Sequence, residues 1–210
     1  MTSSPDLLVL HAVRLLGFAP AAAVAARSGL PETDATDLLE DHRARGWVSW
    51  SSFAGSAGWS LTERGRLEGE RRLAAELDAT GRRDLVHGTY LDFLDLNGRV
   101  LQAVTDWQTR PGGGDPFAAN DHQDLRWDNR VLHRLESVSG HLTPMAATLA
   151  GILDRFDGYA ERFDRALGRA RAGEREWVDG LGIDSCHGVW FQLHEDLLAT
   201  LGIARGHEPG

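Results

Sequence analysis

Trp47-Val48-Ser49-Trp50-Ser51-Ser52-Phe53-Ala54-Gly55-Ser56-Ala57-Gly58-Trp59-Ser60-Leu61-Thr62-Glu63-Arg64-Gly65 decides how the first third of this chain folds. Two runs rich in aromatic and β-branched residues, 47–50 and 59–61, flank a small-residue segment, 51–58, which predicts two strands joined by a flexible tip. Thr62 follows as the cap of a helix, since its hydroxyl can accept from a free N–H of the first turn.

Upstream of the hairpin, apolar residues recur at helical spacing over 6–16 (Leu7, Leu8, Leu10, Val13, Leu16) and stop at Gly17. An alanine-rich helix is predicted over 21–27, and a third over 32–45 with Ala35, Leu38, Leu39 and His42 inward. Downstream, helices are predicted over 62–80, 83–110, 121–140, 144–172 and 185–201, with a glycine-rich loop at 111–120 and a frayed tail at 206–210. The expected architecture is mainly α: three helices plus a two-stranded hairpin in 1–80, then an all-α domain in 81–210.

Helix, helix, tight turn, helix and two-stranded ribbon is the winged helix-turn-helix plan. Residues 35–47 resemble a recognition helix running into the first wing strand, and Trp59-Ser60-Leu61-Thr62-Glu63-Arg64-Gly65 resembles the segment that closes the wing in MarR-like regulators. The stretch 185–197, Ser-Cys-His-Gly-Val-Trp-Phe-Gln-Leu-His-Glu-Asp-Leu, resembles the helical region of regulator-like winged-helix proteins. The resemblance implies a ligand-responsive, homodimeric transcription regulator that binds duplex DNA, with the helical domain dimerising and holding a small molecule. Its DNA contacts would be Thr33, Thr36, Arg43, Arg45, Ser51, Ser52 and Arg64.

Charge argues the other way. The chain carries a net charge of −9, and all 22 of its basic residues are arginines. Residues 32–41 include Glu32, Asp34, Asp37, Glu40 and Asp41. Acids in a first turn complement the helix dipole, but several beside phosphates are repelled, and a DNA reader normally shows a basic face. The rival expectation is therefore a repurposed winged helix, off DNA, whose helical domain binds or converts a small molecule. A protein-interaction adaptor is the third.

In the helical domain, His187, Trp190 or Phe191, and His194 recur at spacings that share one helix face. They either line a pocket or border a core stripe of Val189, Trp190, Leu193, Leu197 and Leu198. Asn120-Asp121-His122-Gln123-Asp124 ends the glycine-rich loop. There Asp121 either caps a helix or orients His122 as a general base. Asp121, His122, His187 and His194 are the catalytic candidates should the protein be an enzyme. Tyr90, Asn97 and Trp107 on the 83–110 helix complete the candidate ligand-binding set with His122, His187, Trp190, Phe191 and His194. A buried Asn97 amide requires partners in either case.

The sequence shows no cofactor motif: Gly112-Gly113-Gly114 lacks the preceding strand and following lysine of a phosphate loop, and no nucleophile elbow occurs. The single cysteine, Cys186, excludes an internal disulfide framework, and no metal site is expected. No apolar run approaches a membrane span and no signal-peptide pattern opens the chain, so the expected location is cytoplasmic.

Overall fold

The structure, a computed structural model, describes residues 1–53, 55–112, 114–115 and 117–204; of Phe53 only the backbone is described. The expected frayed tail therefore lies outside the described residues. The chain is mainly helical with a small antiparallel sheet. It divides into two compact units, the first made of Met1–Arg83, Ile152–Arg155 and 194–204, the second of Asp84–Gly151 and Phe156–Leu193.

The first unit opens with α1 (Pro5–Leu16), whose first turn is capped by the Ser4 hydroxyl accepting from the Leu7 N–H. Helices α2 (Ala21–Ser28) and α3 (Glu32–Ala44) follow, then strands β1 (Val48–Phe53) and β2 (Ser56–Leu61), then α4 (Glu63–Thr80). Val9, Leu10, Val13, Val24, Ala35, Leu39, Val48 and Trp59 form one buried cluster. At roughly 1.5–3 kcal/mol for each large apolar side chain removed from water, this burial holds the three helices and the ribbon together.

The strands run further than the sequence predicts. Trp50 pairs with Trp59, and pairing continues through Ser51–Gly58 and Ser52–Ala57 to Phe53–Ser56, so most of the expected flexible tip is strand. Each further pair satisfies backbone groups, and small side chains offer no steric objection to it. Ala19 holds the other edge of Trp59 through reciprocal backbone hydrogen bonds of 3.1 and 2.8 Å.

Thr62-Glu63-Arg64-Gly65 locks the ribbon to α4. The Thr62 hydroxyl accepts from the Gly65 N–H at 3.0 Å and donates to the Gly46 carbonyl at 2.7 Å. A Cβ on residue 65 would stand 1.9 Å from the Trp47 carbonyl oxygen, so only glycine fits this approach.

The second unit is built on α5 (Arg83–Gln108), α6 (Leu125–Ala150), α7 (Tyr159–Arg171), the single turn α8 (Glu176–Asp179) and the first half of α9 (Cys186–Leu201). The expected break between helices at 140–144 does not occur: α6 runs through Gly140 and Pro144. Proline inside a helix costs about 3 kcal/mol, but Val138, Leu142, Met145, Ala146 and Leu149 continue one buried stripe across it, and their burial outweighs that cost. The helix predicted over 144–172 instead stops at Ala150 and restarts at Tyr159, after Gly158 in a left-handed conformation at φ +82°.

Candidate functional site

The residues expected to touch DNA are exposed or partly so, yet most are engaged locally. Arg43 pairs with Glu40 at 2.9 Å, and Arg45 pairs with Asp6 at 3.1 Å while lying over the Trp47 ring. Thr33 donates to Asp34, and Thr36 donates to the Glu32 carbonyl. Ser51 and Ser52 are exposed on β1, and Arg64 is exposed with no ion pair among the described residues. Glu32, Asp34, Asp37, Glu40 and Asp41 are all exposed on α3. The outward face of this helix is acidic, and its two arginine candidates already have carboxylate partners.

Three of the expected ligand contacts are used in packing the second unit. Trp190 stacks on Phe93 with ring centroids 4.4 Å apart and donates its indole N–H to Asn97 Oδ1 at 2.9 Å. Asn97 thus bridges α5 to α9, the structural half of its expected role. Tyr90 is fully buried. Phe191 is exposed, and His187 is partly exposed at the start of α9. His194, expected to share a site with His187, belongs to the first unit. Burial pushes the Cys186 thiol up to about 12, which removes it as a nucleophile near neutral pH.

His122 stands apart. It is the only non-glycine among the described residues with a positive φ, 58°. The left-handed region is disfavoured for a residue with a Cβ, and persists where surrounding contacts over-determine it. Here the Asn120 side chain accepts from the His122 N–H at 3.1 Å, and Arg175 donates to the His122 carbonyl at 3.2 Å. The imidazole rests against Trp107, centroids 4.6 Å apart, and its Nδ1 is 3.0 Å from Asp128 Oδ2. Asn120 Nδ2 donates to the other Asp128 oxygen and to the Trp107 carbonyl, both at 3.0 Å.

This geometry assigns the tautomer. A carboxylate only accepts, so Nδ1 carries the proton and Nε2 presents a lone pair. The ring's hydrogen bonds among the described residues are all made through Nδ1, which leaves Nε2 open, while the ring is about four-fifths covered, at 19% side-chain exposure. The arrangement is a carboxylate-oriented imidazole with one ring nitrogen left open.

The orienting carboxylate is Asp128 on α6, not Asp121. Asp121 Oδ1 accepts from the Gln123 N–H in a turn of its own and is exposed. Adjacent residues on an irregular loop project apart, whereas a helix starting at Leu125, capped by Asp124, carries Asp128 back beneath the ring. Asp128 and Asn120 are the contacts of His122 that sequence reasoning missed; burial of Asp128, at 6% exposure, is the signal a sequence does not carry.

Sequence reasoning also missed a second histidine–carboxylate pair, inside the first unit. His11 Nε2 on α1 is 2.9 Å from Asp196 Oδ1, both buried. Arg155 lies 3.6 Å from the same oxygen and donates to the Thr200 hydroxyl at 2.7 Å. Burial alone would raise the Asp196 pKa, but His11 and Arg155 outweigh it and hold this carboxyl well below the usual range. Burial lowers the His11 pKa, only partly offset by Asp196.

No family model, curated protein or solved structure matches this chain. Among the described residues, no helix is long and apolar enough to cross a membrane.

Proposed function

We propose that this is a winged-helix protein whose α3 has left DNA, and whose helical second unit binds a small molecule at His122 and acts on it as a general base. The observation that carries the reading is the Asp128–His122 pair on strained backbone with Nε2 unengaged. A bound O–H or N–H group would donate to Nε2; if its proton transfers, the imidazolium is stabilised by Asp128 at 3.0 Å. Nearby Trp107 fixes the ring plane.

The acidic outward face of α3 supports the first half. Counterion release needs free cations, and Arg43 and Arg45 are spent on Glu40 and Asp6. The regulator reading keeps one favourable feature, the exposed ribbon serines with Arg64, which has no ion pair among the described residues, nearby in sequence.

One experiment addresses each half. Hydrolysis of p-nitrophenyl acetate tests the base: His122→Ala is expected to lose most of the protein's imidazole-dependent rate, although His122 is one of nine histidines. An unchanged rate in that variant removes the reading. Fluorescence anisotropy with a GC-rich duplex at low salt tests the other half, and tight binding there restores the regulator.

A further inference from the structure

A groove of about 430 Å³ runs along the second unit between α5 and α6, lined by Thr89, Asp92, Asp95, Leu96, His141, Pro144, Met145 and Thr148. Its volume lies in the range of small-molecule sites. Leu96, Met145 and Thr89 are buried and form an apolar floor, while Asp92 and Asp95 are exposed at the α5 rim. Three residues apart on a helix, the two carboxylates sit on neighbouring positions of one face. Neither forms an ion pair among the described residues.

The polar inventory of this groove is one-sided. The Thr89 hydroxyl donates to the Leu85 carbonyl at 2.9 Å, and the Thr148 hydroxyl to the Pro144 carbonyl at 2.9 Å. His141 Nδ1 is 2.7 Å from the Ser137 carbonyl, which only accepts, so that nitrogen carries the proton and Nε2 is a lone pair. Pro144 has no N–H to offer. Every side-chain donor lining the groove is thus committed to its own helix, and what faces a guest is two carboxylates, a histidine lone pair and hydroxyl oxygens. A neutral acceptor or an anion finds no partner there, and leaving a buried acceptor unsatisfied costs about 1–3 kcal/mol.

We infer that the α5–α6 groove binds a small amphipathic organic cation, a protonated amine at Asp92 and Asp95 with its apolar body over Leu96 and Met145. This site is separate from His122 and does not depend on the general-base reading.

Methionine-methyl NMR tests it directly, because the chain has two methionines, Met1 and Met145, and the first serves as the control. 2-Phenylethylamine, titrated at about 0.15 M salt to screen diffuse attraction to the acidic protein, is expected to shift the Met145 methyl saturably and leave Met1 unmoved. 3-Phenylpropionate and 2-phenylethanol, which share the body without the charge, should bind at least tenfold more weakly, and so should ethylamine, which lacks the body. The double variant Asp92→Asn, Asp95→Asn alters only exposed positions and should weaken phenylethylamine at least tenfold. Thr148→Arg, which places a fixed cation at the rim, should do the same. A Met145 methyl unmoved by the amine, an equal response to the carboxylate, or unchanged affinity in both variants would overturn the assignment. Retention of amine binding by His122→Ala is expected.

Discussion

Each unit of this protein holds one histidine ring nitrogen within 3.0 Å of an aspartate oxygen, and the two pairs differ in their surroundings. In the first unit, His11 and Asp196 are enclosed, and Arg155 and Thr200 complete the polar network around the carboxylate. In the second, Asp128 takes one nitrogen of His122 and leaves the other open, on a loop whose backbone is held at φ 58°. The chemistry of the side chains is the same. What differs is enclosure: a buried pair with its ionic partners is a piece of architecture, whereas a half-open pair on strained backbone has a direction in which to react. Proximity of His to Asp alone therefore does not mark an active group; access of the second ring nitrogen to a guest does, and His11 Nδ1, though without a hydrogen-bond partner among the described residues, is buried.

The comparison breaks first on stability. Asp196→Asn should cost about 3–5 kcal/mol in urea unfolding, because it leaves Arg155 buried without its full countercharge. Asp128→Asn should cost well under that, since its partners His122 and Asn120 can turn to water. Equal costs would mean the second pair is architectural as well.

Reactivity should separate the pairs in the reverse order. Asp128→Asn is expected to slow ester hydrolysis at His122 by about 100-fold, the usual scale of an oriented acid–base group, by losing the Nδ1–H tautomer and the stabilised imidazolium. A folded His11→Gln variant should leave that rate unchanged. The rate in both proteins is read by nitrophenolate release.

The pH dependence of stability sharpens the contrast further. His11 has a folded pKa below the ordinary histidine value of 6.5, because burial disfavours the charged ring. The unfolded chain then binds a proton below pH 6.5 that the folded one refuses. Stability is fully present above 6.5 and is lost as pH falls toward the folded value, with a slope of at most about 1.4 kcal/mol per pH unit for one proton. His42 is lowered by burial in the same sense and adds to this window. The carboxylate Asp196 acts later, below the ordinary aspartate value of 3.8. Urea midpoints across pH 7 to 5 should fall in the wild type and fall less steeply in His11→Gln, where His42 still titrates in this window.

The smallest expected effect concerns the strained loop. Asparagine tolerates left-handed backbone, so His122→Asn should change thermal stability by no more than about 0.5 kcal/mol while abolishing the reactive nitrogen. A large loss of stability would show that the imidazole is holding the loop rather than the loop holding the imidazole.

How legible the molecule was depends on the range of the interaction. Short-range signals read well: Thr62 caps α4, and Gly81 ends it in a left-handed conformation. The two strands of the hairpin are visible in the sequence, but the small-residue stretch 51–58 suggests a tip, whereas backbone pairing extends through much of it. Pro144 and Gly140 misled because local helix cost is visible in sequence and the compensating burial of Leu142, Met145 and Leu149 is not. At the candidate site the sequence points to His122 and leaves Asp121 as either a cap or an orienting group; Asp121 closes a local turn, and α6 delivers Asp128 to the ring instead. His187 and His194 lie seven residues apart on the single helix α9, and the division between the two compact units falls between them.

By itself the sequence determined the local elements: the caps, the glycine stops, the ribbon's aromatic pairs and the acidic surface of α3, all set by interactions within a few residues or by composition. Only the tertiary structure decided which carboxylate meets which histidine. Asp128 reaches His122 across a turn, His11 finds Asp196 from 185 positions away, and Trp190 finds Asn97 from 93 away. Such pairings follow from how helices pack, and packing is fixed by the summed burial of many side chains, a quantity no single motif encodes.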